Sequence, residues 1–357
     1  MLGLFLTTSA GTYEITSLAK QITWSGSLSQ GARTLAFDIV SPPWGPAVSV
    51  PDMPPGAAIS FFQDERELFS GFVISRSRAT GSGSFSVTCY DRGFYLLKNQ
   101  GIYQFRAQTA DTIARRICTD FDIRAGNLAA PGKAVTRNFL GVTLYKIIMT
   151  AYSLAAEENG KAYQIRFRGN ALDVVEIEKN EETLILEGGV NLQSLSAADS
   201  IDKTVTQVAI YNSNGKIIRT EKNAERISLY GVIQSAIRQS DGQDAGAKAK
   251  KALADNGLSQ TLTVESLGNI ACITGGTVVV KEPVTGTYGL FWITADKHVW
   301  KDGQYYCQLT LSYKRTMDES EAGSLPNKSG SRTAAKTSSE KISLNLIPYN
   351  ERLKTYQ

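Results

Sequence analysis

The chain has 357 residues, 42% of them hydrophobic and 20% charged, and 38 basic against 34 acidic residues leave a formal net charge of +4. These values support packed cores rather than disorder, and the balance of charge argues against a nucleic-acid-binding surface. The length accommodates about two to four domains.

Met1-Leu2-Gly3-Leu4-Phe5-Leu6 lacks a basic leader, and its apolar run breaks at Thr7-Thr8-Ser9, so it reads as a first strand rather than a signal peptide. Strand patterns follow at 21–26, 33–40, 57–63 and 68–75, with Asp64-Glu65-Arg66-Glu67 as a charged hairpin tip. In 84–90, Phe85, Val87 and Cys89 alternate with Ser84, Ser86 and Thr88. The proline-rich stretch 42–55 is a stiff loop, and its Trp44 is expected to be exposed and interfacial.

The period then changes to 3.6. Thr109 is placed as an N-cap ahead of Asp111, and Ile113, Ile117 and Phe121 share one helix face. A second helix starts near Thr143, buries Leu144, Ile147, Ile148, Ala151 and Ala155, and stops at Gly160. Strands at 163–168 and 172–177 flank the turn Gly169-Asn170. Further strands at 204–211 and 216–220 enclose Asn212-Ser213-Asn214-Gly215, and a helix of high propensity covers 243–256. Strands resume at 261–266, 277–281, 288–294 and 305–313, the last with Tyr305, Cys307, Leu309, Leu311 and Tyr313 on one face.

The pattern is mainly β with an α+β insertion. It predicts a barrel-like block over 1–100, a small α/β domain over 101–200 and a second barrel-like block over 201–315 covered by the 243–256 helix. Residues 316–357 read as a Ser/Lys/Gly/Glu/Thr-rich linker ending in an interaction segment. There Leu344, Leu346 and Ile347 alternate and are placed to add a strand to a sheet edge.

Little points to chemistry. Cys89, Cys118, Cys272 and Cys307 have no C-x-x-C spacing, and Cys89 and Cys307 read as buried hydrophobes in a reducing compartment. His298 is the single histidine, expected between two strands in a structural role. The pairs Glu157-Glu158 and Glu181-Glu182 read as exposed charge, Lys248-Ala249-Lys250-Lys251 as a solvated helix face, and Trp292 as core. Gly81-Ser82-Gly83 and Gly275-Gly276 lack the Lys-Ser/Thr of a P-loop and read as turns. No apolar run reaches membrane-spanning length. The expectation is therefore no enzyme, cofactor, metal or stable membrane insertion.

Several segments in order resemble the baseplate hub proteins of contractile phage tails and phage-tail-like particles, specifically the PBSX-type prophage hub within the late-control-D/VgrG-like superfamily. They are Tyr90-Asp91-Arg92-Gly93-Phe94-Tyr95-Leu96-Leu97-Lys98-Asn99, then Thr109 through Ile117 with Phe121-Asp122-Ile123, then Thr143 through Ile148. Asp202-Lys203, Leu229 through Gln234, Leu267-Gly268-Asn269, Gly275 through Val280 and Ile293 through His298 continue the series.

The resemblance covers about 1–315. It implies two tail-tube-like barrels per chain, a homotrimer, and a ring joining a sixfold tail tube to a threefold central spike. Partners would be the tube, spike, tape-measure and other baseplate proteins, assembled in the bacterial cytoplasm into a virion or particle. The hairpin at Asp64, Glu65, Arg66 and Glu67 would then serve inter-subunit or tube-facing contacts. Two other classes stay open on the residues: a tail-associated cell-wall hydrolase and a glycan-binding module.

Overall fold

The computed structural model describes residues 1–40, 51–79, 82–239 and 245–326. Met1–Ser324 forms one unit, and of the second, Leu325–Gln357, only residues 325 and 326 are described. Trp44, Leu344, Leu346 and Ile347 lie outside the described residues.

In chain order the strands of the first part are β1 (Leu2–Thr8), β2 (Gly11–Glu14), β3 (Ala19–Ser27), β4 (Thr34–Val40), β5 (Ala58–Gln63), β6 (Arg66–Ser77) and β7 (Ser84–Asp91). Then come α1 (Gly93–Lys98), β8 (Gln100–Thr109), α2 (Ala110–Asp120), β9 (Arg124–Leu128), β10 (Ala134–Thr143), α3 (Leu144–Asn159), β11 (Tyr163–Arg168) and β12 (Ala171–Glu176). They are followed by β13 (Leu184–Glu187), β14 (Leu192–Ser200), β15 (Gln207–Tyr211), β16 (Ile217–Lys222), α4 (Ala224–Tyr230), β17 (Gln234–Arg238) and α5 (Ala245–Asp255). The last strands are β18 (Ser259–Leu267), β19 (Thr277–Glu282), β20 (Thr287–Lys301) and β21 (Gln304–Ser312).

Strands from both halves join in a single 13-stranded sheet, with the path β14-β18-β21-β20-β3-β4-β7-β6-β5-β1-β2 and β19 and β13 branching from β20. Among the described residues no path closes, so the isolated chain holds one open sheet where two barrels were expected. The cause is the antiparallel pairing of β20 with β3, Ala295 opposite Ser27 through Lys301 opposite Gln21. It occupies the edges that each block would need to close on itself.

The two halves of this sheet repeat one plan. β3-β4-β7-β6 with β5 matches β14-β18-β21-β20 with β19, and all of these pairs are antiparallel. Four bulges match too, although β5–β6 carries a further shift at Phe61/Phe62 that β19–β20 lacks. β6 is bulged between Val73 and Ser75, β20 between Ile293 and Ala295, β3 between Ala19 and Gln21, and β14 between Leu192 and Ser194. Gly56 donates its N–H to the carbonyl of Val73 as Gly275 does to that of Ile293, and the two glycines share left-handed φ values of 90° and 87°. The equivalence ends at the next strand, since β1 meets β5 antiparallel whereas β13 meets β19 parallel.

Other strands lie outside this sheet. β8 pairs with β10, and β9, β11 and β12 form a three-stranded sheet. Both share one core with α2 and α3, which includes Ile113, Ile117, Phe139, Leu144, Ile148 and Tyr152. Strands β15–β17 form their own sheet, where Val208 and Ile210 pack against Ala245, Ala249 and Leu253. The pairing therefore takes β13 and β14 from the segment read as α/β, and sets β15–β17 with α5 apart from the segment read as a second barrel.

Several local features follow sequence chemistry. Thr143 caps α3 by accepting the Lys146 N–H at 3.4 Å, and Gly160 ends it in the left-handed region. Thr109 occupies the N-cap of α2, but its hydroxyl pairs with that of Thr112 instead of a backbone N–H. Trp292 is only half-buried because Phe291 and Ile293 take the core phase of β20. His298 lies within β20, because the strand continues past its bulge rather than ending near 294.

Candidate functional site

The β3–β20 seam carries the most unusual chemistry. Every second residue of β3 points inward, which buries Ile22, Trp24 and Gly26. Opposite them β20 buries Asp296, His298 and Trp300, with His298 directly across from Trp24. Gly26 makes room for an arginine, since a Cβ there would stand 2.5 Å from Nη1 of Arg33. Arg33 crosses this gap with its guanidinium 4.0 Å above the Trp24 ring. It donates from Nη1 and Nη2 to the two carboxylate oxygens of Asp296, at 3.0 and 2.5 Å.

The Asp296 side chain is fully buried and also accepts the N–H and the hydroxyl of Thr274, at 2.7 and 2.6 Å. The Thr274 hydroxyl in turn reaches the carbonyl of Gly26 in β3. A buried carboxylate with this many donors satisfies the rule that interior charge must be paired. Burial alone would raise its pKa. The charge of Arg33, with hydrogen bonds from His298 and Arg33, outweighs burial and holds the carboxyl well below its usual range.

His298 is equally enclosed. Its Nε2 lies 3.1 Å from the carbonyl of Cys272, an acceptor only, so Nε2 carries hydrogen; it also lies 3.3 Å from Asp296 Oδ2. Nδ1 lies 2.8 Å from the Tyr305 hydroxyl and 3.2 Å from Cys307 Sγ. Burial pushes the imidazole down, but the hydrogen bonds to Asp296 and Cys307 outweigh it and raise the pKa to about 9. Cys307, His298 and Asp296 thus stand in the order of a thiol–imidazole–carboxylate relay. All three are buried, at exposures of 0%, 0% and 2%; their contacts tie β20 to β21, and Arg33 and Thr274 carry the network across the seam.

The charged hairpin tip occupies the other end of β6. Asp64 and Glu65 form a two-residue turn with φ of 49° and 66°, and both are exposed along with Arg66 and Glu67. Asp64 pairs with the N-terminal amine of Met1. Arg66 borders a cleft of about 350 Å³ that it shares with Trp24, Arg33, Asp91, Arg166 and Thr274. Within that cleft burial raises the Asp91 carboxyl to about 6, against the backbone N–H groups of Arg33 and Gly93 and the charge of Arg33. Of the sequence-predicted interface residues, Asp64, Glu65, Arg66 and Glu67 stay together at this tip. Sequence reading missed Arg33, Thr274 and Asp296; the one available signal was an aspartate on the apolar phase of a strand pattern.

Among the strand edges without partners in the described residues, two stand at equivalent places of the repeated blocks. One is the end of β6 beyond Val73, past the point where β5 stops. The other is the outer side of β14 from Ser194 to Ser200, which holds one charged residue, Asp199.

This architecture is that of phage tail proteins. It is similar to the 43 kDa tail protein of prophage MuSo2 from Shewanella oneidensis, with a TM-score of 0.68 at 14% identity over 87% of this chain and 97% of that one. The chain belongs to the YQBQ-like family, whose model matches residues 22–312. It is also similar to the phage-like element PBSX protein XkdQ of Bacillus subtilis (strain 168), 28% identical over 273 residues, which cover 74% of this chain and 83% of the relative. The c3393 protein of E. coli, a type VI secretion component with structural similarity to the T4 bacteriophage tail proteins gp27 and gp5, shares the fold at a TM-score of 0.52 and 14% identity, over 86% of this chain and 76% of that one.

Proposed function

We propose that this chain is a structural baseplate hub of a contractile injection system, a phage tail or phage-tail-like particle. Three copies form a ring that joins a sixfold tail tube to a threefold central spike. The observation that carries this reading is the repeat within the large sheet. Each chain supplies two equivalent four-strand blocks already joined edge to edge, so three chains supply six. The relative from a phage-like element and the fold shared with a prophage tail protein support it. The role needs geometry and no catalysis, which suits a polar network enclosed in the seam. On this reading the tube, spike and tape-measure proteins are the partners. The tip at Asp64–Glu67, Trp44 and the segment with Leu344, Leu346 and Ile347 are the surfaces offered to them.

Light scattering on the full-length protein, alone and with its neighbouring tail proteins, tests the proposal. A mass three times the 38.8 kDa of the chain is expected. A persistent monomer that binds none of those proteins removes it.

A further inference from the structure

The internal seam is a template for a seam between copies. Matching bulges place Ser75, Arg76 and Ser77 of β6 at the positions of Ala295, Asp296 and Lys297 of β20. They likewise place Ala198, Asp199 and Ser200 of β14 at the positions of Ser25, Gly26 and Ser27 of β3. Within the chain these positions are paired, Ala295 to Ser27, Asp296 to Gly26 and Lys297 to Ser25. We infer that β6 of one copy pairs antiparallel with β14 of the next in the same register, Ser75 opposite Ser200, Arg76 opposite Asp199 and Ser77 opposite Ala198. This rests on the trimeric hub reading and specifies which edges build it.

Three observations support it. The first is exposure. Trp24 and Gly26 are buried by the internal seam, whereas their equivalents Ala197 and Asp199 are exposed, as are Ser75 and Ser77. The second is charge. The inferred register sets Arg76 against Asp199, an opposite-charge pair on facing strands. In the isolated chain Arg76 turns to Asp52, and Asp199 accepts only from Gln260 among its described contacts. The third is closure. These two edges, unpaired among the described residues, belong to different strands, so the contact is head-to-tail and closes into a ring once the internal rotation repeats. A ring leaves neither edge open to uncontrolled pairing.

The register can be trapped covalently. Leu28 donates its N–H to the carbonyl of Thr294, which makes Ala295–Ser27 a non-hydrogen-bonded pair, the closer kind in an antiparallel ladder. Ser75 and Ser200 inherit that geometry, within reach of a disulfide. The full-length Ser75→Cys/Ser200→Cys variant is oxidised in its assembled form, beside Ser75→Cys/Ala197→Cys as a register control, while light scattering records the mass. The four native cysteines are buried and free.

The expected result is a covalently closed trimer for the first pair and none for the second. Arg76→Asp or Asp199→Arg alone should lose the trimer, and the two together should restore it. A trimer that never cross-links at 75/200 overturns this seam and leaves the hub reading standing. A monomer throughout overturns both.

Discussion

Asp296 shows how one residue commits a seam. It is ionised and fully buried, and Arg33 is the cation that neutralises it from the other half of the sheet. Removing Arg33 leaves that interior charge with His298 as its remaining charged neighbour, whose own charge is lost as the pH rises through about 9. Arg33→Met is therefore expected to lower stability by about 3–5 kcal/mol in urea unfolding, and Arg33→Met with Asp296→Asn to recover most of that loss. His298 adds a pH dependence. Its pKa rises from 6.5 to about 9 on folding, so its contribution is complete below about pH 6.5 and disappears as the pH rises through about 9. Stability should fall across that window by on the order of 3 kcal/mol, and His298→Gln should flatten the fall. Unfolding midpoints measured at intervals from pH 6 to 10 would show this. An unchanged slope in the variant would remove His298 from the account.

At the scale of elements, the β5–β6 hairpin and the segment after β21 make opposite points. Asp64 and Glu65 both sit in the left-handed region, the geometry of a turn that favours Asn-Gly. Glu65→Gly should stabilise the hairpin by about 1 kcal/mol, read as a raised melting temperature. The charged cluster made this tip legible in the sequence. Residues 316–324 were not legible, and read as the start of a linker because they lack any apolar period. They are instead a strap held by short polar bonds. Thr150 accepts the Ala322 N–H at 3.0 Å, Ser153 accepts that of Ser320, and Arg137 donates to the Ala322 carbonyl. Tyr145 binds Asp318, while Lys248 and Lys251 pair with Glu321 and Glu319. Such bonds join hydroxyls, main chain and charged side chains that lie far apart in the chain, which leaves no periodic pattern in a sequence. Thr150→Val should leave α3 folded yet expose the Ala322 amide to hydrogen exchange; unchanged protection would mean that the strap is held elsewhere.

At the scale of the molecule, what the sequence carried was local. The alternation of β21, the stripe of α3 and the stop at Gly160 could be read because each depends on neighbours within a few residues. The joining of β20 to β3 could not, since nothing near Trp24 announces a partner more than 270 positions away. That long-range pairing turns two repeated blocks into one open sheet, and the edges of β6 beyond Val73 and of β14, unpaired among the described residues, motivate the ring. Electron-microscopy class averages of the full-length protein, assembled with its neighbouring tail proteins, test that claim most directly. The account predicts a ring of three chains that shows six similar lobes around a central channel. Single chains, or closed two-fold dimers with no channel, would contradict it.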